Sequence, residues 1–162
     1  MQGKLYLRSA TIDDLNILFD WVNEPSVRKN SFNTNIISVE EHKKWLEQVL
    51  TDASTELYIL LGNDTPIGQV RMAYYNDVWQ ISYSIAPAYR GQGYGKIIIQ
   101  LAENALIRGN HVGEKLYAEV KKDNVASQHI FKRLGYSEVL SRHDNAYAYT
   151  KVVTKEHTNG IE

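Results

Sequence analysis

Apolar residues recur along this chain in two rhythms, every second position in some stretches and every third or fourth in others. Leu5–Arg8 reads as a short first strand. Thr11, with Asp14 three residues on, forms a capping box before Leu15, Leu18, Phe19 and Val22, which share one helical face; Pro25 ends that run. Residues 26–37 are polar and irregular and read as loop. Ser38 and Glu41 form a second capping box ahead of Trp45, Leu46, Val49 and Leu50.

Three strand candidates follow: Leu57–Leu61, Ile67–Tyr75 and Val78–Ile85. The turn signals Gly62-Asn63-Asp64-Thr65-Pro66 and Asn76-Asp77 separate them and predict an antiparallel hairpin across Asn76-Asp77. A glycine-rich turn leads into a helix over Tyr94–Arg108, whose stripe is Ile97, Ile98, Leu101, Ala102, Ala105 and Leu106. Leu116–Val120 is a strand, Val125–Leu134 a helix, and Tyr136–Leu140 and Ala146–Val153 are the last two strands. The pattern predicts one mixed α+β domain over residues 1–162. It has a mostly antiparallel, seven-stranded sheet, about four helices on its faces, and room for parallel pairing in the middle.

Composition narrows the chemistry. Lys and Arg total 18 against 19 Asp and Glu, so no general field draws in nucleic acid or an anionic membrane. The absence of cysteine excludes disulfides, thiolate metal sites and a cysteinyl acyl-enzyme. The spacing of His111, His129, His143 and His157 suggests no metal site. Residues 1–8 hold no apolar signal core, which makes a cytoplasmic location the expectation.

Arg90-Gly91-Gln92-Gly93-Tyr94-Gly95, followed by Lys96, joins an apolar strand to an amphipathic helix. A helix start offers unpaired N–H groups and a positive dipole end, and glycines let backbone approach an anion. Ile97 after Lys96 breaks a Walker loop, and Lys96 itself stands where a dinucleotide fingerprint needs glycine. A phosphate seat and a plain strand-to-helix turn both fit the glycines alone.

The segment Ile85–Gly95 resembles motif A of the GNAT acetyltransferase superfamily, Arg or Gln, two residues, Gly, one residue, then Gly or Ala. A second segment, Asn124-Val125-Ala126-Ser127, then Phe131, then Leu134-Gly135-Tyr136, resembles the superfamily's Asn-x-x-Ala/Ser…Tyr…Leu-Gly-Phe stretch. The two cover roughly residues 67–140. The resemblance implies the GNAT fold and acetyl-CoA as donor substrate, held in a V-shaped gap between Val78–Ile85 and Leu116–Val120. Ile85 would pair with pantetheine and lie by the oxyanion donor. Arg90, Gly91, Gln92, Gly93, Tyr94, Gly95 and Lys96 would take the pyrophosphate, and Asn124, Ser127 and Phe131 the thioester end. Glu119, five residues before Asn124, resembles the Glu of Glu-Val-x-x-x-Asn in ribosomal-protein-type GNAT enzymes and is the candidate base; a solvated or ion-paired carboxylate is the alternative. Phe131 departs from the family, where a Tyr often protonates the thiolate. Ser127 and Tyr136 are the nearest substitutes in sequence.

On the acceptor side, Trp21-Val22-Asn23…Val27-Arg28…Ser31-Phe32…His42…Trp45 resembles GNAT enzymes that acetylate nucleotide-linked amino-deoxysugars, those of the pseudaminic-acid pathway for flagellin glycans among them. Arg28 would clamp a diphosphate, Phe32 and Trp45 would face a uracil or sugar ring, and His42 would bond a phosphate or hydroxyl. The implied reaction is direct attack of a small-molecule primary amine on acetyl-CoA. Protein, antibiotic or polyamine acetylation, and a non-catalytic acetyl-CoA-binding module, stay open alternatives. Exposed strand edges allow a homodimer.

Overall fold

Asn63 and Asp64 (φ 50° and 66°), and again Asn76 and Asp77 (φ 52° and 63°), take the left-handed conformation that two-residue hairpin turns require. The first turn joins β2 (Thr55–Gly62) to β3 (Thr65–Tyr75), and the second joins β3 to β4 (Val78–Ile85), both antiparallel. In the computed structural model, which describes residues 3–155, β1 (Leu5–Ser9) adds to the free edge of β2. β5 (Lys115–Lys121), β6 (Ser137–Val139) and β7 (Ala146–Val152) complete a seven-stranded sheet ordered β1-β2-β3-β4-β5-β7-β6. The β4–β5 pair is parallel and the others are antiparallel. The architecture matches the expectation from the sequence pattern. His157 lies outside the described residues.

The helices are α1 (Leu15–Val22), α2 (Pro25–Asn30), α3 (Val39–Thr51), α4 (Tyr94–Arg108) and α5 (Val125–Arg133). The Thr11–Asp14 capping box forms as expected, over a single 3-10 turn, and Asp14 also binds the Arg8 guanidinium at 2.8 Å through both oxygens. Half of the second box forms: the Ser38 hydroxyl accepts the Glu41 N–H.

One expectation fails. The stretch read as loop from residue 26 begins with α2, and Pro25 starts that helix instead of only ending α1. Proline suits the first helical position because its missing N–H would be unpaired there anyway. Glu24 caps it by accepting the Val27 N–H.

Alternation along the strands separates two cores. On one face Val70, Met72, Ile81, Leu116 and Ala118 meet Ile98, Ile99 and Leu106 of α4 and Phe131 of α5. On the other, Leu57, Ile59 and Leu61 meet Leu18, Trp21 and Leu46 of α1 and α3. Among the described residues no helix is long and apolar enough to cross a membrane.

Candidate active site

β4 and β5 pair only through Val78–Lys115, Trp79–Leu116 and Gln80–Tyr117. Beyond that they part, because each keeps its outer partner: β4 stays on β3 to Ile85, and β5 stays on β7 to Lys121. The crevice opens into a cavity of about 1080 Å³ lined from both faces of the sheet. The starts of α4 and α5 border one side, and α1, α2 and α3 the other. Ala86 N–H bonds the Ile67 carbonyl on the β3 side, so backbone alternation turns the N–H of Ile85 toward the crevice.

The glycine turn ends in the first turn of α4. Gly93 is the helix N-cap at φ 87°, with no side-chain bond to the exposed N–H groups. Nothing lies within 4 Å of the place its Cβ would occupy, so conformation demands this glycine and crowding does not. Gly95 is the reverse: a Cβ there would meet Ile130 Cδ1 at 2.8 Å and Tyr83 Cε2 at 3.3 Å. The first turn holds no acid, while Lys96 stands in it, a charge unfavourable to the helix dipole and favourable to an anion placed there. Arg90 points away from that seat. Its Nε donates to the Ile85 carbonyl at 3.0 Å, and its Nη2 pairs with Glu24 at 2.6 Å. Gln92 likewise donates to the Ala88 carbonyl, so both side chains brace the turn and leave its backbone amides to face an anion.

Glu119 reaches the cavity wall, but its carboxylate is occupied. Arg142 Nη2 lies 2.8 Å from one oxygen, and the Ser141 hydroxyl donates to the other at 2.9 Å. Burial alone would raise its pKa; Arg142, Ser141 and nearby His143 outweigh burial and hold it below the usual carboxylate range. Asn124 caps α5 by accepting the Ser127 N–H. Phe131 is 2% exposed, stacked on Tyr149 and edge-on to Tyr136, which fits a packing role. Tyr136 is buried, donates to Glu103 at 3.1 Å and does not line the cavity. Tyr83, Tyr89 and Tyr94 do line it, and of these Tyr83 lies 2.6 Å from Ser127 Oγ. Burial raises its pKa, partly offset by the Ser127 bond.

The four acceptor-side residues expected from sequence all border the cavity. Their roles differ. Arg28 donates to the carbonyls of Val22, Asn33 and Asn35 and to the Ser31 hydroxyl, so its guanidinium pins the chain after α2 and is not a free clamp. Phe32 stacks on His143 at 3.9 Å, which covers one ring face. His42 is 2% exposed, its Nε2 has no partner, and desolvation lowers its pKa. It stacks on Trp45 at 5.5 Å between centroids, and the Arg71 guanidinium lies 5.7 Å from the same Trp45 ring.

Tyr83, Arg71 and Arg142 escape the sequence reading, and His143 is weighed there only as a metal ligand. Arg71 left a trace, a lone cation between the apolar Val70 and Met72 of a strand. Tyr83 and the residue 141–143 loop left none, since their approach to Ser127 and Glu119 exists only once β4, β5 and α5 are assembled.

The model of the acetyltransferase (GNAT) domain family matches residues 4–137. No curated protein matches the sequence. Among solved structures, a domain from Methanocaldococcus jannaschii aligns with TM-score 0.81 at 23% identity, over 93% of this chain and 99% of its own. Spermidine N-acetyltransferase from Vibrio cholerae, in complex with CoA and spermine, aligns with TM-score 0.81 at 18% identity, over 92% and 95%. An aminoglycoside acetyltransferase in complex with coenzyme A aligns with TM-score 0.77 at 18% identity, over 95% and 96%.

Proposed function

This chain belongs to the acetyltransferase (GNAT) domain family, and from that premise we propose that it transfers acetyl from acetyl-CoA to the primary amine of a UDP-linked amino-deoxysugar. The reaction class, acetyl-CoA-dependent N-acetylation, follows from the family. The observation that carries the rest is the through-sheet crevice, with bare amides at the start of α4 on one side and an aromatic lobe holding Arg71 on the other.

In this reading the turn amides and Lys96 take the pyrophosphate, and crevice-facing backbone near Ile85 takes the pantetheine and the developing oxyanion. The amine enters from the lobe of His42 and Trp45. Glu119, already ion-paired, orders that wall and is a weak base, so the ammonium proton leaves through water. Tyr83 keeps its proton at neutral pH and gives it to the departing thiolate, the task Phe131 lacks a group for. The likeness to spermidine and aminoglycoside enzymes supports a small-molecule acceptor. Lining carboxylates are few for a polycation: of Glu41 and Glu119, the second is neutralised by Arg142.

The test is thiol release from acetyl-CoA with UDP-linked 4-amino-deoxysugars, spermidine and peptides as acceptors. The highest kcat/KM is expected for the nucleotide-linked amine. A preference for spermidine or peptide, with the sugars inert, rules the acceptor out.

A further inference from the structure

Arg71 lies midway along β3, opposite Ser82 of β4 in register, on the face that lines the acceptor lobe. Its neighbours Val70 and Met72 are fully buried on the other face. Three other arginines nearby are matched: Arg28 by carbonyls, Arg90 by Glu24, Arg142 by Glu119. Among the described residues Arg71 has neither an ion pair nor a hydrogen-bond acceptor; its close partner is the Trp45 ring. Desolvation lowers its pKa, the sign of a charge held where water is scarce. A half-buried guanidinium whose five donors meet no acceptor of the protein is free to bond an anion that enters. Beside it stand the neutral groups Ser82, Gln69 (whose amide donates to Ser84 Oγ) and His42 across Trp45; the lining carboxylate of this lobe, Glu41, makes no ion pair with it.

We propose that Arg71, backed by Trp45, binds an oxyanion carried by the acceptor, which in the proposed substrate is a phosphate of the sugar nucleotide. The planar fork suits bidentate contact with phosphate oxygens, and the indole face keeps it aimed into the lobe. The acceptor is thereby an amine that also bears negative charge, and polycations are disfavoured by the same residue. The inference rests on the acetyl-transfer reading and sharpens its substrate class.

The experiment compares wild type with Arg71→Gln and Arg71→Lys in the full chain. Acceptors are a UDP-linked 4-amino-deoxysugar, the same amino sugar without the nucleotide, and spermidine; UDP serves as an inhibitor competing with the acceptor. Arg71→Gln is expected to lower the preference for the nucleotide-linked over the free sugar at least about tenfold, mostly through acceptor KM, and to weaken UDP inhibition alike. Arg71→Lys falls between, because a point charge replaces a fork. The Gln variant should melt at or above the wild-type temperature, since an unpaired charge is gone, and that separates lost recognition from lost folding. An unmoved preference ratio with unchanged UDP inhibition overturns the proposal. If wild type ignores sugar nucleotides but favours another anionic amine whose KM rises in Arg71→Gln, the sugar reading falls and the anion site stands. A spermidine preference that Arg71→Gln leaves intact or improves removes both.

Discussion

The Tyr83 hydroxyl and Ser127 Oγ, 2.6 Å apart, tie β4 to the first turn of α5 across the crevice. That bond puts a phenol on the cavity wall close to Phe131, with 6.3 Å between the two ring centroids. Tyr83→Phe is expected to lower kcat about 100-fold with little change in the KM for acetyl-CoA. Burial keeps the phenol protonated through neutral and mildly alkaline pH, so the wild-type alkaline limb lies high. Pre-steady-state thiol release measures the step directly, and an unchanged rate in Tyr83→Phe assigns the acid elsewhere.

Arg142 is the main group that opposes the effect of burial on Glu119. Removing it as Arg142→Ala leaves burial opposed only by Ser141 and His143, so the Glu119 pKa rises from its depressed value. An NMR titration of the Glu119 carboxyl should show its midpoint at higher pH in Arg142→Ala than in wild type, and an unmoved midpoint would take that role from Arg142. In the wild type the sign for stability is the carboxylate one. The folded-state pKa is depressed, so the stabilisation is present above the unfolded pKa and fades as pH falls below about 4.5 through the folded value. Thermal melts across pH ~3–6 check this; equal pH slopes for wild type and Glu119→Gln would count against it.

Lys96 stands at the wrong end of α4 for the helix dipole. Lys96→Ala should therefore raise the stability of the unliganded protein by about 0.3–1 kcal/mol while weakening coenzyme A several-fold. Melting temperature and calorimetric affinity give the two signs, and a parallel fall in both would mean Lys96 serves the fold.

Glu24 Oε2 accepts from both Val27 N–H of α2 and the Arg90 guanidinium, linking the acceptor lobe to the glycine turn. Arg90 is the main cause of the depressed Glu24 pKa. Glu24→Gln should raise KM for acetyl-CoA and for the acceptor together, by about threefold to tenfold each, as loss of a partly exposed charged bond would. A change confined to one substrate would show that the link does not couple them.

Local signals in the chain were enough for most of the architecture. The two Asn-Asp turns, the Thr11–Asp14 box and the apolar runs of β2 to β4 each act over a few residues, and each appears where its pattern predicts. The helix at Pro25 was missed because its six residues bury none of their side chains and so carry no apolar period. Its signal was the Glu24-Pro25 pair alone.

The helix start after glycines in the left-handed region was also legible, because it is a property of contiguous backbone. Which charges remain free is not such a property. Arg28, Arg90 and Glu119 looked available in one dimension, yet each is claimed by a group brought in by folding: carbonyls after α2, Glu24 66 residues away, Arg142 23 residues away. Arg71 and Tyr83 gain their meaning the same way, one by lacking a partner against Trp45, the other by meeting Ser127. Periodicity and turn chemistry are short-range and can be read along a string. The balance of burial against pairing, which decides what a charge or a proton is free to do, depends on neighbours that share space without sharing sequence.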